Sequence, residues 1–328
     1  MDGSSLPETR STCPYCGVGC GVLLRPDGHG GLMVKGDPDH PANFGRLCSK
    51  GAALGETVGH EERLLAPVVD GHETSWDSAL ATVANRFKST IDQHGPDSVA
   101  FYVSGQLLNE DYYVANKLMK GFIGSANIDT NSRLCMASTV AGQKRAFGTD
   151  TVPGTYEDLD EADLVVLVGS NLAWCHPVLY QRVLAARERR GTKIVVIDPR
   201  RTASCDQADL HLALEPGSDV ALFNYLLTQI YEGGALDNAY LQHVEGFDEA
   251  LHAAYADTVD VTGLDRSLID RFCALWMGHE KVVTVFSQGV NQSTSGTDKV
   301  NSIINCHLAT GRIGTLGCGP LSVTGQPN

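Results

Sequence analysis

The sequence predicts an α/β protein: a small cysteine-bearing domain at the N-terminus, then doubly wound, mostly parallel α/β domains. Three observations carry this reading. Four cysteines stand as C-x2-C-x3-C-x27-C at Cys13, Cys16, Cys20 and Cys48. Continuous apolar runs such as Leu164-Val165-Val166-Leu167-Val168 alternate with helical spacing, the pattern of strands covered on both faces. Glycine is abundant, 35 of 328 residues, which suits a chain that folds around large groups.

Composition narrows the function. The hydrophobic fraction of 42% and charged fraction of 20% are those of a soluble globular protein of about two domains. A formal net charge of −14 argues against nucleic acid as a general partner. No apolar run approaches a membrane span. Met1 to Thr12 is short and polar, with no apolar signal core and no twin-arginine pair, so the cytoplasm is the expected compartment. Ten cysteines fit a reducing compartment, where they remain thiols or bind metal.

The elements follow in order. Val22-Leu23-Leu24, a Pro/Asp/Gly turn and Leu32-Met33-Val34 read as a hairpin. Thr74 and Asp77 form a possible capping box before a helix whose apolar stripe is Ala79, Leu80, Val83, Phe87 and Ile91. Gly95-Pro96 ends it, and residues 98–103 form a strand. A second helix runs over about 110–120. Strands follow at 163–168, 193–197 and 210–214, with a helix over about 178–190 that stops at Gly191. Ser218 caps a helix reaching Tyr231, the stretch 237–275 is mostly helical, and 281–286 returns to strand. The domains expected are 1–57 around the cysteines, 58–134 with 280–328, and an inserted α/β domain at 135–279.

Four thiolates can surround an iron–sulfur cluster, and Gly17, Gly19 and Gly21 let the backbone wrap it and aim N–H groups at its sulfurs. A structural zinc site also takes four cysteines, but the x3 spacing and the isolated fourth cysteine fit it poorly. Ligands in open α/β sheets bind at the carboxyl ends of strands. Those ends carry Gly105-Gln106, Gly169-Ser170-Asn171, Asp198-Pro199-Arg200 and Gly217-Ser218-Asp219. Glycines admit a nucleotide closely, helix N-termini face a pyrophosphate, and Asp198 or Asp219 can accept from a guanine or a ribose. No G-x-G-x-x-G is present, which disfavours an ordinary nicotinamide site.

Cys13 to Cys20, Cys48 and Lys50 together resemble the N-terminus of the molybdopterin oxidoreductases that bind a bis-guanylate molybdenum cofactor, among them nitrate reductases and formate dehydrogenases. The resemblance implies a [4Fe-4S] cluster on the four cysteines, with Lys50 between it and one pterin. It implies that the strand-end loops, with Gln106, Asn131, Gln288 and Gln292, hold the molybdopterin guanine dinucleotides. Asn131-Ser132-Arg133-Leu134-Cys135-Met136 resembles the nitrate reductase segment whose cysteine ligates molybdenum, which makes Cys135 the metal ligand. On its residues alone, a lone cysteine in an apolar setting, Cys135 reads as a core thiol. Met136 stands where formate dehydrogenases commonly place histidine, and Trp174-Cys175-His176-Pro177-Val178 resembles the assimilatory, cytoplasmic enzymes. His176 reads as shaping the cofactor loop, and Cys175, Cys205, Cys273, Cys306 and Cys318 as ordinary thiols.

The resemblance thus implies reduction of nitrate to nitrite, with electrons from a ferredoxin, flavodoxin or flavoprotein reductase. It also implies that Thr324 to Asn328 falls inside a family motif and that the family's C-terminal domain is absent, so that this is the N-terminal portion of a longer enzyme. A formate dehydrogenase-like oxidoreductase is the alternative within the class. A non-catalytic cluster-binding electron-transfer fragment is the alternative outside it.

Overall fold

The computed structural model describes residues 7–323, and at Ser132 and Arg133 the backbone alone. Met1 to Leu6 and Thr324 to Asn328 therefore lie outside the described residues. The chain forms two compact units. One holds Arg25–Val34 and Ala53–Cys135 with the residues up to Glu8; the other holds Thr9–Leu24, Lys35–Ala52 and the chain from Met136 onward.

At the N-terminus β1 (Thr9–Thr12) pairs antiparallel with β2 (Gly21–Pro26), Thr12 opposite Gly21, and β3 (Leu32–Gly36) completes the sheet. The expected turn is closed by Asp27, whose Oδ1 accepts the N–H groups of His29 and Gly31 at 2.8 Å each. A single turn, α1 (Ser49–Ala52), follows Cys48.

The smaller unit opens with the hairpin β4 (Val68–Val69) and β5 (His72–Glu73) and the helix α2 (Trp76–His94). Its cap is Ser75, one residue beyond the expected Thr74. Ser75 has the extended backbone an N-cap needs, and its Oγ accepts the Ser78 N–H at 3.2 Å. Gly95 ends the helix at φ 81°. β6 (Phe101–Val103), α3 (Asn109–Asn116) and β7 (Ile128–Thr130) follow, with β6 and β7 a parallel pair, and α4 (Ser132–Cys135) closes the unit. The expected stripe on α2 exists, but Leu80 and Val83 are exposed and no residue of α2 is fully buried.

The larger unit is built on one five-stranded parallel sheet in the order β10 (Leu210–Leu212), β9 (Lys193–Ile197), β8 (Leu164–Val168), β11 (Val282–Phe286), β12 (Gly319–Ser322). Successive strand side chains point to opposite faces, and all five residues of β8 and of β11 are buried, so both faces are covered. From β8 the chain builds outward through β9 to β10, then returns to add β11 on the other side. The switch point of the sheet lies between β8 and β11.

In this unit α5 (Ala137–Phe147), α6 (Tyr156–Glu161), α7 (Leu172–Cys175), α8 (Pro177–Arg190) and α9 (Asp219–Glu232) are followed by α10 (Phe247–Ala256), α11 (Arg266–Gly278), α12 (Gln288–Asn291) and α13 (Gly296–Ala309). Phe223, Phe272 and Trp276 meet edge-on, 6.1 to 6.4 Å between centroids, at the centre of the core. Such pairs add about 0.5–1.5 kcal/mol each beyond burial.

The strands group differently from the expected division. Residues 282–286 and 319–322 complete the sheet of β8 rather than joining 58–134, because five residues of β11 register with β8, Val282 opposite Leu164. By compactness the cysteine-bearing segments Thr9–Leu24 and Lys35–Ala52 group with the larger unit. No helix among the described residues is long and apolar enough to cross a membrane.

Candidate functional site

The four cysteines of the N-terminal motif come from two segments of the larger unit. Cys13, Cys16 and Cys20 are buried and Cys48 is half-buried. The Cys13 N–H donates to the Cys20 carbonyl at 2.8 Å, and the Gly19 N–H to the Cys16 carbonyl at 3.2 Å. Gly19 lies at φ 65°, where a side chain would be strained. Asn43 joins the two segments. Its Oδ1 accepts the Gly21 N–H at 2.9 Å, and its Nδ2 donates to the carbonyls of Gly21 and Arg46 at 3.0 and 2.8 Å.

Burial raises the Cys13 thiol and pushes Cys20 up to about 12, with the other cysteine charges adding to both. Lys50 partly offsets this at Cys13. The sulfurs are thus electrostatic neighbours. Yet among the described residues no three His, Cys, Asp or Glu side chains gather tightly enough for a single ion. Three close cysteines and a distant fourth suit a four-iron cluster better than the paired knuckles of a zinc site. Binding would strip the protons that burial retains.

The switch point opens into a cavity of about 580 Å³. Gly169, Asn171, Asp198, Arg200, Gly217, Asp219, Gln288 and Gln292, all expected at the site, line it. Gly169 and Gly289 close the strand ends backbone to backbone. A Cβ on Gly169 would meet the Gly289 Cα at 2.7 Å, and one on Gly289 the Gly169 Cα at 2.6 Å. The Arg200 N–H donates to Asp198 Oδ1 at 2.9 Å, which orients that carboxylate. A cradle of glycine backbone with buried acids suits a nucleotide whose base presents N–H donors.

Two expected residues stand off the cavity wall. Ser170 is buried and its Oγ has no protein partner. Ser218 precedes α9, but its Oγ donates to the Glu215 carbonyl at 2.7 Å instead of capping the helix. Two unexpected residues line the wall: Cys175, read from sequence as an ordinary thiol, and Lys299. Lys299 Nζ pairs with Asp219 Oδ2 at 2.6 Å, the side chains 4% and 10% exposed.

Lys50 lies elsewhere in the unit, in a recess of about 540 Å³ shared with Cys48, Trp174, Pro177 and Gln181. The short helix α7 and its flanks separate the two spaces. Asn171 and Cys175 face the large cavity, while Ala173 and Trp174 face the recess beside Cys48. His176, at the start of α8, is buried as a loop-shaping residue would be.

The remaining expected residues belong to the smaller unit. The parallel pair β6 and β7 brings its strand ends together, and the Gly105 N–H donates to Asn131 Oδ1. Gln106 follows, its N–H donating to Ser104 Oγ at 3.1 Å. Cys135 is half-buried, its N–H bonded to the Asn131 carbonyl at 2.8 Å. The side chains of Ser132 and Arg133 lie outside the description.

The sequence is similar to known proteins over nearly its whole length. Residues 6–60 match the model of the molybdopterin oxidoreductase Fe4S4 domain, and residues 63–324 that of molybdopterin oxidoreductase. The chain is 57% identical over 324 residues to a nitrate reductase of Klebsiella oxytoca, covering 98% of this chain and 37% of that protein. It is 50% identical over 334 residues to a nitrate reductase of Shewanella frigidimarina, covering 97% and 36%. It thus spans little more than a third of the length of these curated relatives. Acetylene hydratase from Pelobacter acetylenicus shares the fold, with TM-score 0.79 at 22% identity over 91% of this chain and 42% of that one. The cofactors that go with the matched models are a [4Fe-4S] cluster and molybdenum on molybdopterin. The chain belongs to the molybdopterin oxidoreductase family.

Proposed function

We propose that this chain is the N-terminal part of a molybdenum-dependent nitrate reductase of the assimilatory, cytoplasmic type, with its metal on two molybdopterin guanine dinucleotides. The observation that carries the reading is the placement of α7, whose two sides line the nucleotide cavity and the recess beside Cys48. Similarity to nitrate reductases along nearly the whole chain supports the substrate.

In this reading Cys13, Cys16, Cys20 and Cys48 hold the cluster. Lys50 places a cation beside Cys48, where it lowers the cost of adding an electron. Asp198 and Asp219 accept from the guanine of one dinucleotide, and the glycines at 169, 217 and 289 admit its phosphates to the backbone. Cys135 presents a soft thiolate to the metal. Gln106 and Asn131 follow the ends of the parallel strands β6 and β7, where Asn131 Oδ1 accepts the Gly105 N–H. The bound metal supplies the oxygen-atom abstraction, nitrate becoming nitrite while two electrons and two protons carry the oxygen off as water. The electrons come from a ferredoxin, a flavodoxin or a flavoprotein reductase.

The test is Cys135→Ser in the full-length enzyme with a viologen donor. Nitrite formation should fall at least a hundredfold while the reduced-cluster paramagnetic signal stays, because an alkoxide is a harder ligand and the cluster thiols lie elsewhere. Undiminished nitrite formation would return Cys135 to the core. Formate oxidation without nitrate reduction by the wild type would replace the substrate.

A further inference from the structure

Among the described residues Arg182 is the largest charged side chain closed to solvent, 1% exposed, and it lies on the face of α8 turned toward the cysteine segments. Its Nε and Nη2 donate to Asp160 at 3.2 and 2.5 Å. Its Nη1 donates to the carbonyls of Pro41 and Ala42 at 2.8 and 3.1 Å. The guanidinium also lies over two rings, Phe44 at 5.2 Å and Tyr156 at 5.8 Å. The Tyr156 hydroxyl donates at 3.0 Å to the carbonyl of Gly17, the residue after Cys16 in the Cys16–Cys20 loop.

From these contacts we infer that Arg182 is the positioning residue of the iron–sulfur centre. It holds both cysteine segments to the α/β body at once: residues 41–44, which lead to Cys48, directly, and the Cys16–Cys20 loop through Tyr156. The inference rests on the assignment of the cluster to Cys13, Cys16, Cys20 and Cys48.

Three features support it. Phe44 sits at φ 44°, unusual for a bulky residue, so something must hold that turn; Arg182 grips the two carbonyls before it and covers its ring. The Tyr156 side chain links the two sides, its ring under the guanidinium and its hydroxyl donating to the Gly17 carbonyl. The fork of Arg182 satisfies a carboxylate and two carbonyls simultaneously, a task a lysine ammonium cannot match in geometry. A merely structural arginine would need no tie to the cluster loop. Two of its four hydrogen bonds go to Pro41 and Ala42, on the segment that leads to Cys48, and its guanidinium covers the ring of Tyr156, which holds the Cys16–Cys20 loop.

The test compares the cluster-loaded full chain with Arg182→Lys, Arg182→Gln and Tyr156→Phe. The readouts are iron release to a chelator and the cluster midpoint by paramagnetic redox titration. Arg182→Gln leaves the Asp160 carboxylate uncompensated beside the loop, which disfavours the extra electron of the reduced cluster. The reduced-to-oxidised ratio at fixed poise should drop about tenfold, about 59 mV for one electron. Iron release should be about tenfold faster. Arg182→Lys restores the charge but not the fork, so its midpoint should recover while its iron release stays fast. Tyr156→Phe should speed release several-fold and keeps the test decisive if Arg182→Gln does not fold. Wild-type protein that takes up no iron would overturn the cluster assignment and this inference with it. A loaded wild type whose Arg182→Lys and Tyr156→Phe variants match it in release and midpoint would overturn this inference alone.

Discussion

Lys299→Met removes the partner of a carboxylate that has almost no water to fall back on. Asp219 and Lys299 are 10% and 4% exposed and 2.6 Å apart. Breaking a buried pair by deleting one member costs about 3–5 kcal/mol, because the other charge stays buried and uncompensated. Asp219 is also the first residue of the 14-residue α9, where the helix dipole favours an anion by about 0.3–1 kcal/mol. The net loss expected for Lys299→Met is therefore about 2–4 kcal/mol. Asp219→Leu should cost a similar amount by stranding the ammonium. The double variant should lose far less than the sum, since replacing a buried ion pair by apolar groups is often close to neutral.

Urea unfolding followed by the emission of Trp276, fully buried in the core of the same unit, measures all four proteins. With single losses of about 2–4 kcal/mol each and a double variant close to neutral, the expected coupling is about 4 kcal/mol or more. Additivity within about 0.5 kcal/mol would refute the reasoning, because it would mean that neither charge needs the other in the fold. Cofactor retention separates the two roles of Asp219. The double variant should recover stability and still release the molybdenum cofactor, having lost a carboxylate from the cavity wall.

Two further perturbations probe the same unit. Gly289→Ala places a Cβ 2.6 Å from the Gly169 Cα, a backbone contact that cannot swing aside; it should lower stability by about 1–3 kcal/mol and abolish cofactor retention, read by urea midpoint and bound molybdenum. His307 is fully buried, its Nε2 2.8 Å from Thr284 Oγ1 and its ring against Trp276; burial first, then the Arg312 charge, hold it well below its usual 6.5. A neutral buried histidine leaves stability intact above the unfolded value and removes it as pH falls below. Between pH 6.5 and 5 wild type should lose about 2 kcal/mol that His307→Gln does not, the difference measured by denaturation at each pH.

Much of the sheet was readable because its strands are apolar on both faces. Residues 193–197 form β9 with the expected limits, and α8 stops at Gly191 with φ 79°. What periodicity could not show was the partner of each strand. β6 and β11 are both short runs of strand formers, and only tertiary register puts β11 beside β8 and leaves β6 with β7. The division into domains depends on that choice. The strand-end loops of the site were readable for a different reason: a parallel sheet must bind at its carboxyl ends, and glycine with acids at those ends is what a nucleotide needs.

Two buried cations were missed, and the missing signal was present. In α8 the buried positions are 178, 179, 180, 182, 183 and 186, so Arg182 falls on the apolar stripe while Arg187, Arg189 and Arg190 do not. In α13 Lys299 lies among Gly296, Val300, Ile303 and His307 on the buried face. A charge on an apolar stripe is costly unless paired, so its position alone announces a partner. The identity of that partner is not local. Asp160 and Asp219 lie 22 and 80 residues away in sequence, and each sits at an end of a different helix. Both cations hold the ends of elements that carry no fixed geometry of their own: a cysteine loop in one case, a glycine-lined strand end in the other. A loop wrapped around a bulky group cannot be stiffened by regular hydrogen bonding, so its rigidity must come from a side chain anchored in the body behind it. That requirement is why the charges are buried here, and why neither arginine nor lysine could be exchanged at these positions as freely as on the outer faces of the same helices.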